Sequence, residues 1–127
     1  MRDIYYTGDH EWIDFQGTVA YVGVCHFKLT GFREIDSLKV NEAGGFKQKG
    51  ESIATVCYKE YRIDVNMPVD GKIIAVNEAL LDGPQNLLLN AETSGWIVKI
   101  IPREPYERKE LVMPDRYRMN KTATIKS

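Results

Sequence analysis

The feature that most constrains the fold of this chain is the repeated interruption of short β-type runs by turn residues. β-Branched and aromatic residues are concentrated in residues 11–15, 18–24, 52–58 and 72–76, and the turn residues Gly17, Lys59-Glu60 and Pro68-Val69-Asp70-Gly71 lie between such runs. In residues 62–66, Ile63 and Val65 alternate with polar residues, as in a strand with one buried face. The pattern predicts a mostly β protein, a compact antiparallel sandwich or barrel.

Three turns organise these strands. Gln16-Gly17 predicts a hairpin between residues 11–15 and 18–24. Residues 59–61 (Lys-Glu-Tyr) predict the tip of a second hairpin, between residues 52–58 and 62–66. Pro68-Val69-Asp70-Gly71 predicts the turn that follows, because proline fixes φ at its start and glycine permits the closing angle. Residues 35–40 and 96–101 are two further predicted strands.

Helical segments are predicted to be few. Residues 104–111 and 115–119 are charged and compatible with helix, with Pro114 between them, so we expect a short C-terminal helix. The expected organisation is one domain over residues 1–119 and a polar tail over residues 120–127. An α+β fold with a longer helix over residues 79–89 is a weaker alternative, because Gly83-Pro84 interrupts that segment.

The composition excludes several classes of protein. The 127 residues include 17 basic and 18 acidic side chains, for a net charge of −1, which argues against sequence-independent nucleic-acid binding. No apolar run approaches the roughly 20 residues that cross a bilayer, and the N-terminal residues lack the apolar stretch of a secretory signal. We therefore expect no membrane or nucleic-acid partner and a cytoplasmic location.

The reactive side chains form no recognisable catalytic or metal-binding motif. Cys25, Cys57, His10 and His26 are scattered, without a CxxC pair, so neither a metal site nor a disulfide framework is predicted. Cys25 and His26 are neighbours whose side chains would face apart in a strand, and no nucleophile elbow or phosphate-binding glycine loop is present. No catalytic residue is predicted, although Cys57, close to Lys59, leaves open a small thiol enzyme or redox protein.

Six blocks of the sequence, in order, resemble the H protein family of the glycine cleavage system. The resemblance runs from about Tyr6 to Ile101. The blocks are Tyr6-Thr7 with His10-Glu11-Trp12, Val22-Gly23-Val24, Gly50-Glu51, Asp64-Val65 with the turn and strand over residues 68–73, Asn77-Glu78-Ala79-Leu80, and residues 95–100. The resemblance implies a lipoyl-type barrel-sandwich hybrid of two small antiparallel sheets. It also implies a carrier that is not an enzyme, whose covalent lipoyl group shuttles an aminomethyl unit between partner enzymes.

The residue at the family's attachment position differs in this chain. The family places its lipoyl lysine eight residues before the proline of the turn and ten after the glycine that opens the strand. Counting from Pro68 and from Gly50 both lead to Glu60. A carboxylate cannot form the amide that attaches lipoate, so Glu60 marks the expected position without the expected chemistry.

Lys59, one residue earlier, is the alternative attachment site. Neighbouring side chains of a strand face opposite ways, but turn residues splay, which leaves attachment at Lys59 open. The implied partners are the glycine-cleavage enzymes and a lipoate ligase or transferase. A second hypothesis is an H-like binding or regulatory module that carries no lipoyl group. Glu60 is the observation that motivates this second hypothesis. Departures at Arg33-Glu34 and at residues 91–94, in loops that would flank the tip, argue against conventional docking to the glycine-cleavage enzymes.

Overall fold

Two antiparallel sheets form the protein. We describe a computed structural model over residues 3–40, 45–104, 108, 111–114, 116 and 117. The larger sheet has six strands in the order β1-β2-β3-β9-β8-β5, and the smaller has three in the order β4-β6-β7. The strands are β1 (Ile4–Tyr6), β2 (Glu11–Gln16), β3 (Val19–Val24), β4 (Ser37–Val40), β5 (Phe46–Lys47), β6 (Ser52–Tyr58), β7 (Tyr61–Asn66), β8 (Gly71–Val76) and β9 (Val98–Pro102).

The hairpins lie where the turn residues predict them. Strands β2 and β3 pair across Gly17, which has a φ of 68°, a value that costs glycine nothing. Strands β6 and β7 pair across Lys59 and Glu60, and Tyr61, predicted at the tip, is instead the first residue of β7 because it pairs with Tyr58. The predicted two-sheet, mostly β fold is therefore confirmed.

Alternating apolar side chains of the two sheets form the main core. From the larger sheet, Ile13, Val22 and Ile100 are fully buried, and Val56 and Val65 of the smaller sheet are buried with them. The face of the larger sheet that points away from this core has a second cluster, formed by Tyr6, Trp12, Cys25 and Tyr117. Because side chains cover both of their faces, β2 and β3 are the most buried strands in the described part of the chain.

The segment with three consecutive leucines forms two short helices. Helix α1 (Glu78–Asp82) ends at Gly83, and α2 (Asn86–Asn90) begins after Pro84. The break at Gly83-Pro84 is where the sequence predicts it, so the alternative of one long helix over residues 79–89 is wrong. Leu87 is fully buried, whereas Leu89 is 73% exposed.

Other local predictions need correction. Strands β1 and β5 are absent from the sequence prediction, and β4 begins at Ser37 rather than at residue 35. Trp96 precedes β9 rather than belonging to it, because the Asn77 side-chain amide donates to the carbonyl oxygens of Ser94 and Trp96, at 3.1 and 2.8 Å. A short 3-10 helix (His26–Leu29) follows β3.

The C-terminal segment is only partly described. In the first predicted helical stretch, the described residues Glu104, Arg108 and Leu111 are not helical, whereas Pro114, Arg116 and Tyr117 are. Val112 forms an isolated antiparallel bridge with Tyr6 and so covers the edge of β1. The predicted tail, residues 120–127, lies outside the described residues. No helix among the described residues is long and apolar enough to span a bilayer.

A buried ion pair joins the start of β2 to the 3-10 helix (His26–Leu29), and its carboxylate is also hydrogen-bonded to the end of β7. The Glu11 carboxylate is 1% exposed, and Lys28 Nζ lies 2.7 Å from its Oε2. Thr7 donates its hydroxyl to the same carboxylate, as does the backbone N–H of Asn66. Burial is the largest influence on the Glu11 pKa and raises it above the usual value, against the opposing effects of Lys28, Thr7 and Asn66.

Glu11→Gln is expected to change how stability depends on pH. The raised pKa means that the folded state binds a proton more tightly than the unfolded chain at this carboxyl. This contribution is complete below the unfolded pKa of about 4.5 and is lost as pH rises through the folded pKa. The wild-type minus variant difference in the free energy of unfolding should therefore fall as pH rises above about 4.5. Urea unfolding between pH 4 and 7 measures it.

The neighbouring carboxylate provides a check on that result. Burial tends to raise the pKa of Asp9, but the charge and hydrogen bonds of Lys28, with Asn66, lower it overall. The contribution of Asp9 is therefore lost on acidification, below the pH window of Glu11. Asp9→Asn should leave the pH dependence above pH 5 unchanged. A pH-independent difference for Glu11→Gln would contradict the assigned direction.

Candidate functional site at the tip of the second hairpin

The tip of the β6–β7 hairpin is a two-residue turn that points into solvent. Tyr58 and Tyr61 form the last pair of the ladder, and Lys59 and Glu60 connect them, both exposed. Of the two turn residues, Lys59 alone has a positive φ, 53°. A left-handed conformation costs a residue with a Cβ about 1–2 kcal/mol, so contacts around the tip must hold it.

Asp36 provides the main polar contact that holds the turn. The backbone N–H of Lys59 donates to Asp36 Oδ2 at 2.7 Å. The N–H of Asp36 donates in turn to the carbonyl oxygen of Cys57 at 2.8 Å. Asp36, which precedes β4, is therefore hydrogen-bonded to both neighbours of Tyr58 in the sequence. This pair of bonds fixes the conformation of the backbone at the tip.

Three aromatic rings support the turn from below. Tyr58 is buried and Tyr61 is 49% exposed, and their rings lie parallel at 6.4 Å between centroids. The ring of Phe32 lies 6.2 Å from that of Tyr58 and 6.1 Å from that of Tyr61. Lys59 Nζ lies 5.3 Å from the centroid of Tyr58, within the range of a cation–π contact. The tip is thus a rigid aromatic base with one amine and one carboxylate above it.

The two faces of the hairpin differ in polarity. Val56 pairs with Ile63 on the face that packs into the core. On the other face Cys57 stands between Ser37 and Arg62. Arg62 lies 3.6 Å from Asp64, an exposed ion pair that stabilises the fold little. This outward face is polar, and Cys57 is half-buried within it.

The other reactive residues of the sequence lie away from the tip. Cys25 is fully buried while the adjacent His26 is exposed, so they form no catalytic pair. His10 Nδ1 lies 2.7 Å from the hydroxyl of Tyr117, which belongs to the second cluster. In the described part of the chain, no three His, Cys, Asp or Glu side chains converge as metal ligands would. Trp12 is buried, whereas Trp96 is half-buried.

The sequence prediction missed the residues that support the tip. Asp36 and Lys59 are 23 positions apart, and Phe32 lies in the loop before β4. No local pattern marks such contacts. The one available signal is that Asp36 lies near the start of the strand predicted over residues 35–40, where a polar side chain can bond a neighbouring loop.

The two tip residues differ in whether they fit a covalent lipoyl group. Lys59 offers an exposed primary amine, which can be acylated to an amide. Glu60, at the position where the resemblance places the lysine, offers a carboxylate that cannot. Lys59 is the one lysine between Ser52 and Asn66, so this hairpin has a single candidate nitrogen.

Comparison with known proteins extends over nearly the whole chain. The family described as "Glycine cleavage H-protein" matches residues 4–124. A glycine cleavage system H protein of Bartonella tribocorum is 33% identical over 93% of this chain and 97% of its own. A probable glycine cleavage system H protein of Aeropyrum pernix is 34% identical over 91% of this chain and 81% of its own. The crystal structure of a glycine cleavage system H protein from Mycobacterium marinum superposes with a TM-score of 0.82 at 26% identity, covering 94% and 97% of the two chains.

Proposed function

The chain belongs to the glycine cleavage H-protein family, whose members are lipoyl carriers rather than enzymes, and from this we propose that it carries a lipoyl arm on Lys59. The arm would shuttle an aminomethyl unit between the enzymes of glycine cleavage. The observation that carries the proposal is the exposed amine of Lys59 at the apex of a rigid hairpin.

The contacts of Lys59 suit it to acylation. Its backbone is fixed by Asp36, so the side chain leaves the protein from a constant position. Its Nζ lies over the ring of Tyr58. In the attachment step, the deprotonated amine attacks the carbonyl of an activated lipoyl donor, forms an amide, and releases the leaving group and one proton. When attached, the lipoyl group supplies a dithiolane at the end of a flexible arm.

The fold contributes rigidity and local concentration. The ladder of β6 and β7 holds the tip, while the arm alone moves. Tethering makes transfer between partner sites nearly intramolecular, with effective concentrations of about millimolar for a short flexible link. The partners proposed here are the glycine-cleavage enzymes and a lipoate ligase or transferase, and the location proposed is the cytoplasm.

The mass of the purified protein tests the proposal. The full chain is incubated with a lipoate ligase, lipoate and ATP, and its intact mass is compared with that of the untreated chain. We expect one lipoyl adduct, and peptide mapping should locate it on Lys59. The matched variant Lys59→Arg keeps the positive charge but removes the acylable amine, so its mass should not change.

Two controls decide the interpretation. An H protein with a lysine at the attachment position must be fully modified under the same conditions. A wild-type chain that stays unmodified beside that control would refute attachment at Lys59, as would an adduct that persists in Lys59→Arg. Circular dichroism of the variant checks that its fold is intact.

A second candidate function is favoured by Glu60. A family member with a carboxylate at the attachment position could act as a docking or regulatory module, binding the partner enzymes with no arm to deliver. The structure of the tip supports binding, because Tyr61 is half-exposed and aromatic residues often dominate interfaces. Co-purification of unmodified chain with a glycine-cleavage enzyme, abolished by Tyr61→Ala, would favour this function. If co-purification instead requires the lipoyl group, that result would favour the lipoyl-carrier function.

A further inference from the structure

A pocket lies on the outer face of the larger sheet, and nothing in the proposed function uses it. It has a volume of about 380 Å³ and is lined by Trp12, Asp14, Tyr21, Thr93 and Trp96. The alternation of β2 and β3 places Trp12, Asp14 and Tyr21 on the face opposite Ile13 and Val22, which belong to the main core. The pocket therefore opens on the outer face of the larger sheet, and the β6–β7 hairpin contributes no residue to it.

Aromatic rings form the walls of this pocket. The rings of Tyr21 and Trp96 lie 5.1 Å apart at 66°, so their faces meet at a corner. Lys99, paired with Tyr21 across the sheet, places its Nζ 5.6 Å from the centre of the tyrosine ring. An ammonium group of the protein itself thus already lies against this wall. The negative faces of such rings attract cations.

A buried carboxylate adds negative charge to the same pocket. Asp14 is 7% exposed and pairs with Tyr21 across β2 and β3. Its Oδ1 accepts hydrogen bonds from the backbone N–H of Asp3 and from Gln16 Nε2, each at 2.9 Å. These bonds fix the carboxylate in place. A charge held in such a poorly hydrated position interacts strongly with a nearby cation.

Two other polar groups of the pocket form hydrogen bonds within the protein. The indole N–H of Trp12 donates to the carbonyl oxygen of Ala91 at 2.8 Å, and the Thr93 hydroxyl donates to that of Asn90 at 3.4 Å. The pocket therefore offers a negative charge beside walls that are mostly aromatic. An alkylated cation matches this lining, because its methyl groups can contact the ring faces while its charge is attracted to the carboxylate.

We infer that this pocket binds a quaternary ammonium group. Such a head group has a positive charge and apolar methyl groups, which match the carboxylate and the aromatic corner respectively. The volume lies within the range of small-ligand pockets, about 300–1,000 Å³. The head group could belong to a free metabolite or to a trimethylated lysine side chain. The inference is independent of the proposed carrier function, since no residue of the hairpin tip takes part.

Titration of the full chain with tetramethylammonium chloride, at constant ionic strength, tests the inference. We expect saturable shifts of the indole N–H signals of Trp12 and Trp96 in NMR spectra. The neutral isostere 3,3-dimethyl-1-butanol should bind at least about tenfold more weakly than choline, because it lacks the charge. Choline and a trimethyl-lysine peptide then distinguish the sources: tighter binding of the peptide indicates a protein partner, and tighter binding of choline a metabolite.

Three variants locate the binding site. Asp14→Asn keeps the acceptor for Asp3 but removes the charge, and should weaken binding about fivefold or more. Trp96→Leu should weaken it further. Lys99→Gln removes the competing ammonium from Tyr21 and should tighten binding. Circular dichroism and thermal midpoints verify the fold of each. Equal binding of choline and its neutral isostere would overturn the inference, as would binding unaffected by both Asp14→Asn and Trp96→Leu.

Discussion

Gly23→Ala is expected to destabilise the protein by about 3–5 kcal/mol, a large part of the roughly 5–15 kcal/mol that stabilises a typical domain. Gly23 of β3 pairs with Trp12 of β2, and the indole lies across the glycine. A Cβ on Gly23 would stand 2.6 Å from Cε2 of Trp12. The ring cannot move aside easily, because it is 2% exposed and its N–H bonds the carbonyl oxygen of Ala91. Urea unfolding monitored by tryptophan fluorescence measures the loss.

A matched substitution separates this clash from a general effect of alanine. Gly8 has no heavy atom within 4 Å of its added Cβ and no positive φ, so Gly8→Ala should change stability by about 0.5 kcal/mol or less. Combining Gly23→Ala with Trp12→Phe, a smaller ring, should recover part of the loss through a non-additive coupling. Additive losses in that double variant, or a Gly23→Ala variant as stable as wild type, would contradict the packing argument.

Moving the amine by one residue is expected to move the lipoyl group with it. The double variant Lys59→Arg, Glu60→Lys has one lysine in the hairpin, at the position where the family resemblance places it. We expect full modification at residue 60, against none in Lys59→Arg alone, which is an all-or-none change in intact mass. Both turn residues are exposed, so the new side chain has room without any change in the core.

The control for this gain is the rate of modification. A ligase that recognises where the lysine lies along the turn should modify the double variant faster than wild type. We expect a difference of about tenfold or more, which corresponds to about 1.4 kcal/mol, the scale of one good contact. An unmodified double variant, beside a fully modified control H protein, would mean that the surface recognised by the ligase has also changed. The departures at Arg33-Glu34 are the first positions to test in that case.

The strands that were predicted correctly are those specified by neighbouring residues. The hairpin of β2 and β3 depends on alternation and on Gly17, and the β6–β7 hairpin depends on apolar residues either side of a charged pair. Strand β5 is only two residues long and exists because β8 offers it a partner, which no local pattern reveals. Trp96 is predicted in a strand because an apolar run follows it, yet its carbonyl oxygen accepts a hydrogen bond from the Asn77 side-chain amide.

The residues of the candidate site likewise divide into those that the sequence predicts and those that only the folded structure brings together. Residues 59 and 60 could be located from the sequence, because a turn needs only its own residues and its flanking strands. The Asp36 contact and the Phe32 ring could not, because they arise only when β4 pairs with β6. The outer pocket likewise combines residues from β2, β3 and the segment before β9, which approach one another only in the folded sheet.

The two hydrogen bonds of Asp36 have a mechanical consequence for any encounter at the hairpin. The loop from Phe32 to Asp36 and the turn at Lys59 are expected to move together as one rigid unit, since Asp36 is hydrogen-bonded both to Cys57 and to Lys59. A partner protein that binds against the ring of Phe32 should therefore also change the orientation of a group attached to Lys59. Binding beside the hairpin would thus set the direction in which a tethered cargo swings.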